Sequence, residues 1–415
     1  MTHPPHAPAE ALRIGLLTPE FPLLPDDDSG IGHHYRTLAT ALAELGHHVH
    51  VVHATARTDL PPDSGLPAPE GYSREVLRVT MPRILGRWLR GRWTIIRLVE
   101  RYRCARQACD GLHRAAQTHG LQMVEASSFA ALPYFYLRRR RRLPVATRVA
   151  TTDRQQLGQT DMQSRALRML ADAESDVIRR SDFLLTHTVN HRDNICALEH
   201  LRPERFTVIP HGITGPANLT ASPVTPGRRV LFLYVGAFNH RKGTDVLFAA
   251  LPQLLAACPE ADFCIVGRQY HSTLGADFQK AHGATFADRV RCPGPVAREE
   301  LARLYRECDV VVAPSRYESF GLVYAEGMSY GKPVIGCRCG GVPEVVQDQV
   351  TGFLNEPGDV IGLTRSLVLL ARDPGLRTRM GSAGRRDFEA RFSARRMAER
   401  SAEFYRQALA ALFSC

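Results

Sequence analysis

Short apolar runs alternate with helical patterns from one end of this chain to the other, and that alternation restricts the fold more than any other feature. LRIGLL (12–17) leads into YRTLATALAEL (35–45), which stops at Gly46, and VHVVH (49–53) follows. Further candidate strands are PVATRVA (144–150), DFLLTHT (182–188), FTVIP (206–210), VLFLYVG (230–236), DFCIVG (262–267), DVVVAP (309–314) and PVIGC (333–337). Most are followed by 10–15 residues whose apolar positions recur every third or fourth residue. Strands that are apolar throughout are buried on both faces, and the helices between them supply the cover. The expected class is α/β with parallel sheets.

Length sets the number of sheets. At about 150 residues per domain, 415 residues make two or three domains. TGPANLTASPVTPGRR (214–229) is polar and carries both Pro and Gly, as a linker does. The expected organisation is an N-terminal Rossmann-like domain over 1–213, a linker over 214–229 and a C-terminal Rossmann-like domain over 230–394. A helix over 395–415 returns to the N-terminal domain. Two doubly wound sheets of this kind face each other across a cleft, with ligands at the carboxyl ends of the strands.

The formal net charge is +11, and its placement says more than its size. Residues 51–150 hold 18 Arg against 7 Asp and Glu, so the whole excess lies in that window, and the other 315 residues balance at 35 against 35. Only Lys242, Lys280 and Lys332 are lysines. The ten cysteines form no C-x-x-C pair and no zinc-like spacing, the usage of a reduced compartment. The start, MTHPPHAPAEALR, lacks the basic and apolar regions of a signal peptide, and no apolar run approaches 18 residues. A cytoplasmic protein is expected.

The densest signal is APSRYESFGLVYAEGMSYGKPVIGCRCGGVPEVV (313–346). A buried strand ends at Pro314, and a helix starts near Phe320 or Gly321. Glu318 lies in the loop, and Glu326 lies eight residues on, inside the helix. Gly321 permits close approach of a ligand, and the free amides of a helix start favour a phosphate. A carboxylate beside them can accept from two hydroxyls of a ribose or hexose. Taken alone, two glutamates are more simply a loop acid and a solvated helix acid.

S-x-x-E-S-F-G-L-x-x-x-E followed by G-K-P-V-I-x-x-x-x-G-G-x-P-E closely resembles the retaining glycosyltransferases of family 4, which have the two-domain B-type fold. The resemblance extends to VGAFNHRKGTDVLFAAL (235–251), CIVG (264–267), RVRCPGPVAREELARLYRECDVVVAPS (289–315), TPEFP, the GIG at 30–32 and VIPHGI (208–213). It implies a transferase that binds a nucleotide-sugar donor in the C-terminal domain and needs no metal. On that reading Glu318 contacts the hydroxyls of the transferred sugar and Glu326 the ribose. Ser315, Phe320, Gly321 and Leu322 line the sugar and diphosphate, Lys242 contacts the diphosphate with Arg241 beside it, and Val296 lies against the base. Gly32 belongs to a glycine loop that approaches the diphosphate from the N-terminal domain, and His33 and His34 face acceptor or phosphate, or merely cap or meet solvent. The Asp26-Asp27-Asp28 run is read as a solvated loop, not a metal site.

Two positions depart from the family pattern. The arginine common after the glycine ending the first C-domain strand is replaced by Ala237. A histidine common at the end of a central N-domain strand falls near Ala150. His187 and His211 lie on strand-end segments. RILGRWLRGRWTIIRLVERYRCARQ (83–107) reads as an amphipathic helix, with Arg83, Arg87, Arg90, Arg97 and Arg101 on one side. That pattern fits an anionic membrane surface, through Arg83–Arg106, or equally a surface helix packed on its own sheet. No nucleic-acid motif accompanies the charge.

The leading expectation is a metal-independent, retaining hexosyltransferase acting on a glycan, lipid-linked or small-molecule acceptor. Its rivals are a nucleotide-sugar-binding protein with reduced or lost catalysis, and a B-type enzyme of another reaction such as an epimerase or phosphorylase.

Overall fold

The structure is a computed structural model that describes residues 10–24, 29–57, 59–60, 71–79, 93–157, 164–216, 228–269, 273–286 and 288–413. It divides into two compact units, one of Met1–Thr186, Arg192–Gly212 and Met397–Cys415, the other of His187–His191 and Ile213–Arg396.

The first unit carries seven strands: β1 Arg13–Thr18, β2 His48–Thr55, β3 Ser73–Arg78, β4 Met123–Ser127, β5 Val145–Arg148, β6 Phe183–Thr186 and β7 Phe206–Val208. All pair in parallel, in the order β3-β2-β1-β4-β5-β6-β7. The second unit has β8 Val230–Val235, β9 Ala261–Val266, β10 Val290–Gly294, β11 Val310–Val312, β12 Val334–Cys337 and β13 Gly352–Asn355. They too are parallel, in the order β10-β9-β8-β11-β12-β13. In each sheet the order reverses beside the first strand, between β1 and β4 and between β8 and β11. Those two switch points are where loops diverge and a crevice opens at the strand ends.

Strand β8 shows why both faces need helices. Val230, Phe232 and Tyr234 pack with Leu247, Leu251 and Leu254 on one side, while Leu231 and Leu233 join Tyr324, Met328 and Phe388 on the other. Alternate side chains point to opposite faces, so an unbroken apolar strand buries both. No helix among the described residues is long and apolar enough to cross a membrane.

The helix expected from Tyr35 begins earlier, at Gly30, and runs to Glu44. Ser29 caps it, its Oγ accepting the Gly32 N–H at 3.1 Å. The GIG segment is thus the first helical turn. A Cβ on Gly32 would come within 3.1–3.3 Å of Pro22, Glu20 and Phe21, so the glycine lets the preceding loop pack on the helix start.

The basic window is partly outside the described residues, Arg83, Arg87 and Arg90 among them. The helix that is described, Trp93–His119, turns Cys104, Ala105, Ala108, Leu112 and Ala115 into the core. Arg101, expected on the cationic face, is largely sheltered and pairs with Asp153. Of the run Arg138–Arg142, three members also find carboxylates: Arg138 with Asp176, Arg139 with Asp110 and Arg142 with Asp182. Much of the arginine surplus therefore holds the first unit together, while Arg97 and Arg106 are exposed.

The chain path just after β6 has no counterpart in the sequence pattern. His187–His191 groups with the second unit although β6 belongs to the first. The Thr188 hydroxyl donates to the Ser319 carbonyl at 2.8 Å, and the amides of Val189 and Asn190 both donate to the Glu344 carboxylate at 2.7 Å. Glu344, the acid of the GGVPE motif, thus caps the start of the helix Val189–Glu199. The last helix, Ala394–Phe413, contributes Tyr405 to the first unit, where its hydroxyl donates to Glu125 Oε2 at 2.7 Å. Glu125 is fully buried in β4 and takes the Arg148 guanidinium on Oε1 at 2.7 Å. Burial alone would raise the Glu125 pKa, but Arg148 outweighs it and holds the group down to about 2.

Candidate functional site

The loop after β8 and the loop after β11 flank the switch point of the second sheet, and the expected donor residues concentrate there. The first, Gly236–Gly243, is folded by its own side chains. Phe238 is buried as an anchor. Asn239 accepts the Lys242 N–H on its side chain at 2.9 Å, and Thr244 bonds the Asn239 backbone through both its donor and its acceptor. Gly243 has φ +67, and a Cβ there would fall 1.8 Å from the Pro314 carbonyl oxygen. Only glycine allows the two loops to lie this close.

That approach brings Lys242 to Glu318. Lys242 Nζ donates to Glu318 Oε1 at 2.6 Å, and the Ser315 hydroxyl donates to the same oxygen at 2.9 Å. The Glu318 side chain is 10% exposed and that of Lys242 23%, so the pair is only lightly screened by water. Glu318 is fixed from behind as well, because its carbonyl accepts the Gly341 N–H at 2.9 Å.

Downstream, Gly321 adopts φ +87 and starts the helix Leu322–Ser329. The amides of such a first turn have no intrahelical partner, so those of Gly321 and Leu322 can meet an anion. Phe320 is buried against Phe392, ring centroids 5.6 Å apart, and offers only its backbone. Glu326 lies on the second turn of this helix, and one of its oxygens takes the Tyr305 hydroxyl at 2.6 Å. Burial raises the Glu326 pKa, against the opposing pull of Tyr305, Arg298 and Lys242.

Arg241, expected beside Lys242, is exposed, its guanidinium 3.5 Å from the Tyr317 carbonyl. The neighbouring arginine, Arg316, instead ties the loops together: it forms a bidentate pair with Asp245, both contacts at 2.7 Å, and donates to the His240 carbonyl. Ala237 leaves no cation at its position and gives its carbonyl to the Tyr234 hydroxyl at 3.0 Å. Val296 lies on the segment between β10 and the helix Arg298–Glu307, half-buried against the core. Gly32 belongs to the first unit. In that unit His34 is buried, its Nδ1 3.0 Å from His211 Nδ1 and its Nε2 3.9 Å from Glu125. Burial, helped by Arg148, lowers the His34 pKa to about 4, so it is neutral at pH 7. His187 is buried in the second unit against Phe320, 6.1 Å between centroids.

Sequence reasoning had no signal for Arg316–Asp245 or for Glu344 as a helix cap. Tyr305 did carry one: it stands two helical turns after Arg298, so both lie on one face of their helix.

In chemical terms the two loops set a cation, a carboxylate with a hydroxyl behind it, a helix start and a second carboxylate along the end of one sheet. Comparison with known proteins bears on the fold that carries this layout. A family profile described as Glycosyltransferase Family 4 matches residues 29–214, and one described as Glycosyl transferases group 1 matches 218–387. A D-inositol 3-phosphate glycosyltransferase of Streptomyces scabiei is 32% identical over 225 residues, 51% of this chain and 50% of its own length. The match thus spans about half of that relative. Glycogen synthase of Mycobacterium tuberculosis is 28% identical over 417 residues, 95% of this chain and 94% of its own. Among solved structures, Anabaena HepE in complex with UDP-glucose superposes with a TM-score of 0.67 at 18% identity, over 95% of this chain and 100% of that one. With one profile on each unit and both sheets parallel and doubly wound, the chain belongs to glycosyltransferase family 4 and has that family's B-type fold.

Proposed function

We propose that the chain transfers a hexosyl group from a nucleotide sugar to an acceptor, with the anomeric configuration retained and no metal in the step. The observation that carries this is the Lys242–Glu318–Ser315 cluster at the switch point, beside the glycine-started helix. Breaking the bond from the anomeric carbon to the diphosphate leaves growing negative charge on the phosphate oxygens. Lys242 and the amides of Gly321 and Leu322 meet that charge, and fixed donors of this kind stabilise the transition state more than the ground state. These groups supply the positive charge that a metal would otherwise bring. Glu318 accepts from the hydroxyls of the sugar, and Glu326 from the ribose. Retention then proceeds by attack on the face the diphosphate leaves, within an ion pair.

The acceptor reading is broad: a polyol phosphate, as the name of one relative suggests, a glucan, as another suggests, or a lipid-linked glycan. The exposed arginines Arg97 and Arg106 keep an anionic membrane surface as a companion proposal for the first unit.

The test is release of nucleoside diphosphate from a panel of nucleotide sugars, with and without inositol phosphate, maltooligosaccharide and lipid-phosphate acceptors. Lys242→Ala and Glu318→Ala should each abolish most of the release. Tight donor binding without turnover on any acceptor would favour the rival reading, a binding protein of the same fold, which Ala237 at a position usually cationic supports.

A further inference from the structure

The Glu326 carboxylate is held by a single protein hydrogen bond among the described residues, and the donor of that bond has been given no role so far. Tyr305 projects from the helix Arg298–Glu307, and its hydroxyl donates to Glu326 Oε2 at 2.6 Å. Its ring is buried and stacked on Tyr330, centroids 5.4 Å apart and planes 11° from parallel. A phenol locked in this way has one orientation, so the carboxylate it holds has one too. With Oε2 occupied, Oε1 keeps its lone pairs for another donor.

We propose that Tyr305 is the positioning residue of the nucleoside site: it fixes the Glu326 carboxylate so that its free oxygen receives the hydroxyls of a ribose. This rests on the reading of Glu326 as the ribose acceptor. A carboxylate on a helix can swing about its terminal torsion, and a swinging acceptor must be ordered each time a ligand binds. The phenol removes that cost. It also favours the ionised form, which a ribose needs because a protonated carboxyl has lost an acceptor oxygen. Burial works the other way and raises the Glu326 pKa, with Arg298 and Lys242 the cations that face it and Tyr330 behind Tyr305. Without the phenol the group is left with burial and two more distant cations.

The ribose lies far from the bond that breaks, so its contacts are equal in ground and transition states. Loss of such a contact raises KM and leaves kcat alone. A hydrogen bond to a charged group is worth about tenfold to about a hundredfold in binding. Tyr305→Phe keeps the ring and its stack and removes only the hydroxyl.

The experiment titrates UDP, ADP and GDP into the protein by calorimetry and compares the tightest of them with its 2′-deoxy form. Wild type, Tyr305→Phe, Glu326→Gln and the double variant are measured from pH 5 to 9, each with its melting temperature. Expected are a rise of about tenfold or more in Kd for Tyr305→Phe, reduced discrimination against the deoxy form, and an acidic limb moved to higher pH. The double variant should bind no worse than Glu326→Gln, because Tyr305 acts only through that carboxylate. Turnover with the matching nucleotide sugar should show KM raised and kcat within about twofold. If Glu326→Gln weakens binding and Tyr305→Phe does not, the positioning role is wrong and the ribose reading stands. If neither changes binding, or no nucleotide binds at all, the reading of Glu326 fails and takes this proposal with it. If Tyr305→Phe does not fold, additive effects of Tyr305→His and Glu326→Gln would overturn the proposal by themselves.

Discussion

Replacing Lys242 by alanine tests the proposed chemistry at its narrowest point. The ammonium sits 2.6 Å from Glu318 Oε1, on a carboxylate whose side chain is 10% exposed. Two losses follow, and they are separable. The first is structural: Glu318 keeps the Ser315 hydroxyl but loses its counter-charge. The pair is mostly sheltered, so its loss costs about 1–3 kcal/mol and lowers the melting temperature by a few degrees. The second is catalytic. A fixed donor facing developing charge in a sheltered site is worth about 10²–10³ in rate, or about 2.7–4 kcal/mol. Because that charge grows as the diphosphate departs, most of the loss belongs in kcat. Nucleoside diphosphate release at saturating acceptor gives kcat and KM, and a melting curve at the assay temperature confirms that the variant is folded. Glu318→Gln retains an acceptor for Ser315 and removes the charge, so the double variant should lose less than the sum of the two single losses. A folded Lys242→Ala enzyme within about threefold of wild type in kcat/KM would refute the reasoning, since a preorganised cation facing the leaving diphosphate could not then be the source of a hundredfold or greater effect.

Three further outcomes are expected. Gly243→Ala forces a Cβ to within 1.8 Å of the Pro314 carbonyl and strains a left-handed residue, so it should destabilise the second unit by about 3 kcal/mol or more and abolish donor binding; unchanged melting would contradict the close loop packing. Glu174 is buried, accepting the Ser128 hydroxyl at 3.0 Å and the Asp153 N–H at 2.7 Å, and burial, with Asp153 adding to it, raises its pKa to about 8. A folded carboxyl that keeps its proton longer than the unfolded chain loses stability as pH rises from about 4.5 to about 8, and Glu174→Gln should flatten that slope in denaturant melts. Neutralising Arg97 and Arg106 together should weaken flotation with anionic vesicles by about 1 kcal/mol per charge and leave neutral vesicles unaffected; equal binding to both would set the membrane proposal aside.

The sequence discloses the strands that are apolar on both faces, β1 and β8 among them, because burial on two sides leaves no alternation to disguise them. The strands it hides are the polar or short ones. Ser73–Arg78 is an edge strand, half-buried and charged, and Met123–Ser127 contains Glu125, which is tolerable inside a sheet only because Arg148 and Tyr405 arrive from 23 and 280 residues away. Long-range partners of that kind leave no local pattern. The site behaves likewise. Lys242, Ser315 and Glu318 are legible from motif spacing, and the fold brings them into contact. Glu344, equally specific in its geometry, acts on residues 154–155 positions away and can be read only from the fold. GIG opens the helix Gly30–Glu44, a place that letters alone do not separate from a loop.

The central claim is transfer with retained configuration from a donor held at the β8–β11 switch point. Its most direct test is proton NMR of a reaction started with an anomerically pure α-linked nucleotide sugar, followed from the first turnovers. The account predicts acceptor-dependent release of nucleoside diphosphate and an α-linked product. A β-linked product would contradict it, as would a nucleotide sugar that binds yet is never consumed.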